Sequence, residues 1–304
     1  MVVHTIMTNC KCQTTTNECK LCRSKDFVLV KRGNIDSTLS AGHFSVTDYR
    51  YGQTGSIFKC LRCNLLQCLE IIDPLAFYEM LEDYEYEEGK VVRSLQMEHI
   101  LKLIRKIKSS GRLLDIGAAS GILVSLALKA GYSAEGIEPS KSFCNLALKQ
   151  NLPVRLGTFP NKNVKGPFDI ITLIDVLEHV AEPVLLLKEI SKALADDGIG
   201  ILVTPDVSSV AARIIGWKWW HFRVAHITYF NRQTLRFALS RAGLTPVFLK
   251  RAKWYFTVGY LLKRLAIYVP QFIINICPKR LYETVVPLNL FDSMLVVFKK
   301  RKTS

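Results

Sequence analysis

The stretch "GRLLDIGAASGILVSLALKAGYSAEGIEPS", residues 111–140, decides the fold. Leu113, Leu114, Asp115 and Ile116 form a short, mostly apolar run closed by Gly117, the pattern of a buried parallel strand entering a tight turn. Ile122, Leu123, Leu126, Ala127 and Ala130 then recur at helical spacing, and Gly131 stands where a helix is capped at its C-terminus. The next apolar stretch ends in Gly136, Ile137 and Glu138, so an acid follows the glycines by about twenty residues. Strand, turn, helix and strand in that order, with that acid, predict the first crossover of a nucleoside-binding α/β sheet.

A dinucleotide turn needs G-x-G-x-x-G, so that backbone amides can approach a pyrophosphate. Here the turn reads Gly117, Ala119, Gly121, and Asp115 sits in the end of the strand before it. A carboxylate there repels phosphate and attracts a cation. S-adenosylmethionine (SAM) has no phosphate, carries sulfonium and ammonium charges, and exposes two ribose hydroxyls that Glu138 could accept as paired hydrogen bonds. The turn therefore suits SAM better than a nicotinamide dinucleotide.

At this point the chain resembles a family. "LLDIGAASG", "GIEPS", "FDIITLIDVLEHV" and "ISKALADDGIGILVTPD" follow in the order found in class I SAM-dependent methyltransferases. The resemblance implies a Rossmann-like α/β fold with a seven-stranded sheet, and SAM contacts at Asp115, Gly117, Ala119, Gly121, Glu138 and Asp175. Two departures stand out. The family's middle glycine is Ala119 here, and "VRLGTFP" lacks the acid often found near the adenine, leaving that contact to Thr158 or to a backbone group.

A chain of 304 residues with 49% hydrophobic and 22% charged residues is long enough and apolar enough to fold around a large core. Its start, "MVVHTIMTNCKC", has no apolar signal core, so the reading is cytoplasmic. The longest apolar run, "LAIYVPQFIINIC", is thirteen residues with a proline inside, short of the roughly eighteen that a membrane span needs.

Nine cysteines in a reducing compartment ask for something other than disulfides. Cys19-Lys-Leu-Cys22 and Cys60-Leu-Arg-Cys63 are two C-x-x-C knuckles about forty residues apart, in a region too polar to build much of a core. Four thiolates around a structural zinc ion supply the missing stability. Cys10, Cys12, Cys68, Cys144 and Cys277 lack such partners and read as idle or buried thiols. A zinc ribbon ahead of a methyltransferase resembles a bacterial group that includes sugar C-methyltransferases and glycan or lipid methyltransferases. The division that follows is residues 1–74 for the ribbon, 75–110 for a connecting helical lid and 111–304 for the methyltransferase domain. Tyr84 and Tyr86 would sit near the cofactor as part of the lid, although six carboxylates between Glu79 and Glu88 equally suit a solvated helix face.

Chemistry in an open α/β sheet belongs at the carboxyl ends of the strands. "FDIITLIDVLEHV" places Asp175 there, with Glu178 and His179 in the next turn. "WWHFRVAHITYF" resembles the segment that carries a histidine ahead of the sixth strand in small-molecule methyltransferases. His226 takes that position, beside Ala225 where the group often has glutamate. His226 is the first choice for a general base, His179 the second and His221 the third, each set against a structural role.

The net charge of +15 comes entirely from residues 211–304, which hold 17 basic residues against Glu283 and Asp292. All four tryptophans lie there too. Basic, tryptophan-bearing and aliphatic together, this third and the insertion expected at about 251–287 read as a surface for anionic membrane. The functional expectation is methylation of a small-molecule, sugar or lipid-linked glycan acceptor at the cytoplasmic membrane face. The competing one is an RNA base methyltransferase whose ribbon recognises nucleic acid.

Overall fold

The computed structural model describes residues 18–301 apart from 36–37, 46, 49, 72, 84–85, 87–88 and 266–277. Cys10, Cys12, Cys277, Tyr84 and nearly all of "LAIYVPQFIINIC" lie outside the described residues.

The strands are β1 Phe27–Lys31, β2 Ile57–Cys60, β3 Leu66–Cys68, β4 Arg112–Ile116, β5 Ser133–Glu138, β6 Val154–Leu156, β7 Phe168–Ile174 and β8 Leu194–Pro205, followed by β9 Thr228–Tyr229, β10 Leu244–Arg251, β11 Trp254–Thr257, β12 Val285–Leu288 and β13 Ser293–Lys300. Seven of them make one sheet in the order β10-β13-β8-β7-β4-β5-β6. The pairs β4–β5, β4–β7, β5–β6 and β7–β8 are parallel, and β13 runs antiparallel to both its neighbours. This is a Rossmann-like α/β fold with the seven-stranded sheet that the resemblance implied.

Alternation along the strands divides the core in two. Leu114, Ile116, Ile171, Leu173, Leu202 and Val296 pack with Leu187 and Ile190 of helix Pro183–Ala193 and Leu235 and Leu239 of helix Arg232–Arg241. The residues between them, Leu113, Ile170, Ile201, Val203, Leu295 and Val297, pack with Ile100 and Ile104 of helix Lys90–Ile107 and Leu123 and Ala127 of helix Ile122–Lys129. A period of two with helices on both sides explains why strands such as "FDIITLI" carry apolar residues on both faces.

β1, β2, β3 and β9 form a second sheet. Three of its strands come from the cysteine-bearing region and the fourth from residues 228–229, where Leu66 pairs with Tyr229 and Gln67 with Thr228. Cys19, Leu21, Cys60 and Leu65 join the same hydrophobic cluster as the first face of the large sheet. The cysteine-bearing region is thus packed into the larger body. Bidentate Arg23–Glu182 contacts and a 3.1 Å bond from Lys20 Nζ to the Ala181 carbonyl pin it beside the turn after β7.

Between β10 and β13 the chain makes a small hairpin of β11 and β12, with helices Val258–Leu265 and Lys279–Tyr282 attached. No helix among the described residues is long and apolar enough to cross a membrane. Trp219 corrects the view of the tryptophan block as a surface: it is fully buried, and its indole N–H donates to Asp292 at 3.3 Å. The exposed groups of that segment are Val210, Ile214 and Trp217, with Arg213 and Lys218 among them.

Candidate active site and metal centre

The turn after β4 carries three residues in the left-handed region, Gly117 at φ 75°, Ala119 at 46° and Gly121 at 78°. Gly121 opens helix Ile122–Lys129 from that conformation. A side chain at Gly117 would bring Cβ to 2.6 Å from Val176 Cγ2, and one at Gly136 would meet Ala118 Cβ at 2.6 Å. The turn is therefore held close against β5 and β7. Ala119 occupies a conformation that glycine adopts freely, which accounts for the glycine usual at this place.

Glu138 ends β5 with its carboxylate turned into the turn. The Ala119 and Ser140 N–H groups donate to Oε2 and Oε1, each at 2.8 Å. Two lone-pair sites remain on a carboxylate that already accepts two bonds. Burial raises its pKa to about 7 against those two donors. Asp115, one strand over, accepts from Thr172 Oγ1 at 2.6 Å and is likewise raised to about 7 by burial. Asp175 follows β7 at φ 53° and is exposed as a residue, while its carboxyl is raised to about 7 by burial and by Asp292. Gly117, Ala119 and Asp175 retain solvent exposure between the buried strand ends. Three carboxyl groups at the carboxyl ends of β4, β5 and β7 offer acceptors for hydroxyls and partners for positive charge. Thr158 is exposed just beyond β6.

Tyr78, Leu81 and Tyr86 pack close to this row. Ser140 Oγ donates to the Leu81 carbonyl, and the Tyr86 ring lies 4.7 Å from Phe143 with Arg93 over its other face. Tyr78 Oη and His179 Nδ1 are 2.7 Å apart, and the Ala225 carbonyl is also 2.7 Å from that nitrogen. With Nδ1 protonated and donating to Ala225, Nε2 keeps its lone pair. His226 meets His179 edge to face at 4.7 Å between centroids and stacks on His221 at 5.6 Å. Burial lowers all three, His179 to about 4, His221 to about 3 and His226 well below its usual range, so each imidazole is neutral at physiological pH. His221 Nε2 stands 3.6 Å from Asp292, too long for a hydrogen bond. The structure thus brings His226, His179 and His221 together at the carboxyl end of β7. The sequence reading missed Tyr78 and Thr204, whose hydroxyls serve this cluster from distant segments and carry no motif.

The four knuckle cysteines converge. All are free thiols, with Cys19 and Cys63 Sγ 3.4 Å apart and Cys22 and Cys60 Sγ 3.5 Å apart. A disulfide needs about 2.05 Å, whereas sulfurs at about 2.3 Å from one tetrahedral ion lie a little under 4 Å from each other. The two knuckles have the same shape. Arg23 and Asn64, each just after the second cysteine, are left-handed at φ 61° and 62°, and their N–H groups donate to the Cys19 and Cys60 carbonyls at 2.9 Å. Hydrogen bonding from Cys63 pulls the Cys19 thiol down to about 5. The donor set and its spacing fit zinc.

Fold and strand-end carboxylates together define a class I SAM-dependent methyltransferase. The chain belongs to the methyltransferase domain family, which it matches over residues 90–248. It is similar to ubiquinone biosynthesis O-methyltransferases from Caulobacter sp. (strain K31), 31% identical over 31% of this chain and 40% of that protein, and from Pelagibacter ubique (strain HTCC1062), 26% identical over 43% and 58%. The chain thus spans 40% and 58% of the length of these two curated relatives. In fold it is similar to a chain in the solved complex of the Haloferax volcanii Trm112 methyltransferase activator with a methyltransferase, at TM-score 0.51 and 16% identity over 72% of this chain and 95% of that one.

Proposed function

We propose that this protein methylates a small-molecule acceptor using SAM held by Asp115, Gly117, Ala119, Gly121, Glu138 and Asp175. This reading rests on a cluster of three neutral imidazoles and Glu178 just past the carboxyl end of β7, with Asp175 close enough to Glu178 to raise its pKa. SAM when bound supplies an electrophilic methyl group. The chain's own task is to hold the acceptor atom in line with it and to exclude water. Tyr78, Glu178, His179 and His226 form the wall against which that acceptor rests. The names of the two curated relatives support an oxygen acceptor, and the basic, partly apolar C-terminal third supports a lipid-linked or membrane-proximal one. One zinc ion on Cys19, Cys22, Cys60 and Cys63 has no open position and serves structure.

Purified protein with labelled SAM, offered separate lipid, soluble-metabolite and RNA fractions from bacterial cells, tests the reading. Label entering a lipid or small-molecule fraction is the expected result. Label confined to RNA would replace this reading with base methylation, and absence of SAM binding by calorimetry would remove it.

A further inference from the structure

We propose that Glu178, His179 and His226 bind a divalent first-row cation, separate from the ion of the four cysteines, and that this cation holds the acceptor through hydroxyl oxygens. The proposal deepens the methyltransferase reading and rests on it for the acceptor alone.

One ligand atom from each of the three residues falls within 4.8 Å of the other two, so a small closure brings them to bonding distance of a common ion. They arrive from two segments that the backbone holds together. Glu178 and His179 lie in the turn after β7, His226 lies just before β9, and the Ile227 N–H donates to the Glu178 carbonyl at 3.1 Å. Two of the three carry polar atoms with no protein partner despite being buried, Glu178 Oε1 with the residue 1% exposed and His226 Nδ1 with the residue 6% exposed. Unpartnered buried polar atoms are rare and call for a ligand.

The atoms around them supply the supporting contacts of a metal site. Thr204 Oγ1 donates to Glu178 Oε2 at 2.9 Å, fixing the carboxylate and leaving Oε1 free. His179 Nδ1–H donates to the Ala225 carbonyl and leaves the Nε2 lone pair free to ligate. Ligating histidines are oriented in this way, by a carbonyl or carboxylate on the far nitrogen. Two neutral imidazoles and one carboxylate suit borderline cations such as zinc, manganese, iron or cobalt, and three protein ligands leave positions open for oxygen. Four thiolates leave none. The chain therefore separates a closed structural ion from an open one that meets substrate.

Manganese(II) is the probe, because it favours oxygen and nitrogen over the sulfur of the ribbon. Full-length protein loaded with zinc should bind one further Mn²⁺ per chain, with nitrogen hyperfine coupling from imidazole in its electron spin resonance spectrum. In Glu178→Gln and His226→Ala the Mn²⁺ affinity should fall at least about tenfold, while ribbon zinc and SAM affinity stay near wild type. The nitrogen coupling in wild type decides the question even where a variant fails to fold. Wild-type protein that binds SAM but no added Mn²⁺ or Co²⁺, Mn²⁺ without nitrogen coupling, or equal Mn²⁺ affinity in folded variants would overturn the cation site. The first of these outcomes leaves the methyltransferase reading standing, whereas loss of SAM binding itself removes that reading.

Discussion

Burial holds the Glu138 carboxyl at about 7, up from 4.5, although two backbone N–H groups pull the other way. Between those values the folded chain keeps a proton that the unfolded chain has released, so this group costs stability as pH rises through 7. Asp115, raised from 3.8 to about 7, acts in the same direction. Cofactor binding has the opposite slope, since paired ribose hydroxyls need the carboxylate. SAM affinity should climb between about pH 6 and 8, by at most roughly tenfold per unit. Glu138→Gln should weaken binding by about 1.5–3 kcal/mol and flatten that climb. Calorimetry across the pH range checks both, and a flat wild-type profile would take Glu138 away from the ribose. At Gly117 the new Cβ of alanine meets Val176 at 2.6 Å in a left-handed residue, which predicts a loss of about 1–2 kcal/mol or more from the conformation and the clash. Thermal unfolding measures it. The glycines and acids of this turn were legible because their chemistry is local. That Ala119 bears the left-handed strain was not, since alanine signals no turn.

Among elements, helix Val210–Ile215 and the segment after it show what periodicity leaves open. Six residues are too few for a helical face to declare itself, and the tryptophans that follow look alike in sequence. Their partners decide. Trp219 finds Asp292, far along the chain, and is buried, whereas Trp217 is 42% and Ile214 79% exposed. Trp219→Ala should therefore cost about 3–5 kcal/mol of stability whatever the membrane behaviour. If this face meets anionic bilayer, Ile214→Asp with Trp217→Ala should keep the melting temperature and lose sedimentation with anionic liposomes. Unchanged sedimentation in that variant would exclude this face. The central strands β4, β7 and β8 posed no such problem, because apolar runs bounded by turns mark buried parallel strands. β9 escaped notice for the reverse reason. It has two residues, and the strand it pairs with comes from the ribbon.

At the scale of the molecule, the sequence divides at residue 74 but the packing crosses that line, through the β3–β9 pairing, the shared core and the Arg23–Glu182 contacts. Cys19→Ser with Cys60→Ser should abolish zinc binding by elemental analysis, and should also lower the melting temperature, because β9 loses the strand it pairs with. Zinc content equal to wild type would refute the ligand assignment. A further consequence concerns biosynthesis. The knuckles leave the ribosome first, yet the fourth strand of their sheet is translated only after most of the catalytic domain. A nascent chain must therefore carry an unfinished module through most of its own synthesis, and the isolated fragment 1–74 should bind zinc more weakly than the full chain, with the difference measuring how much of the ribbon is made by what comes after it.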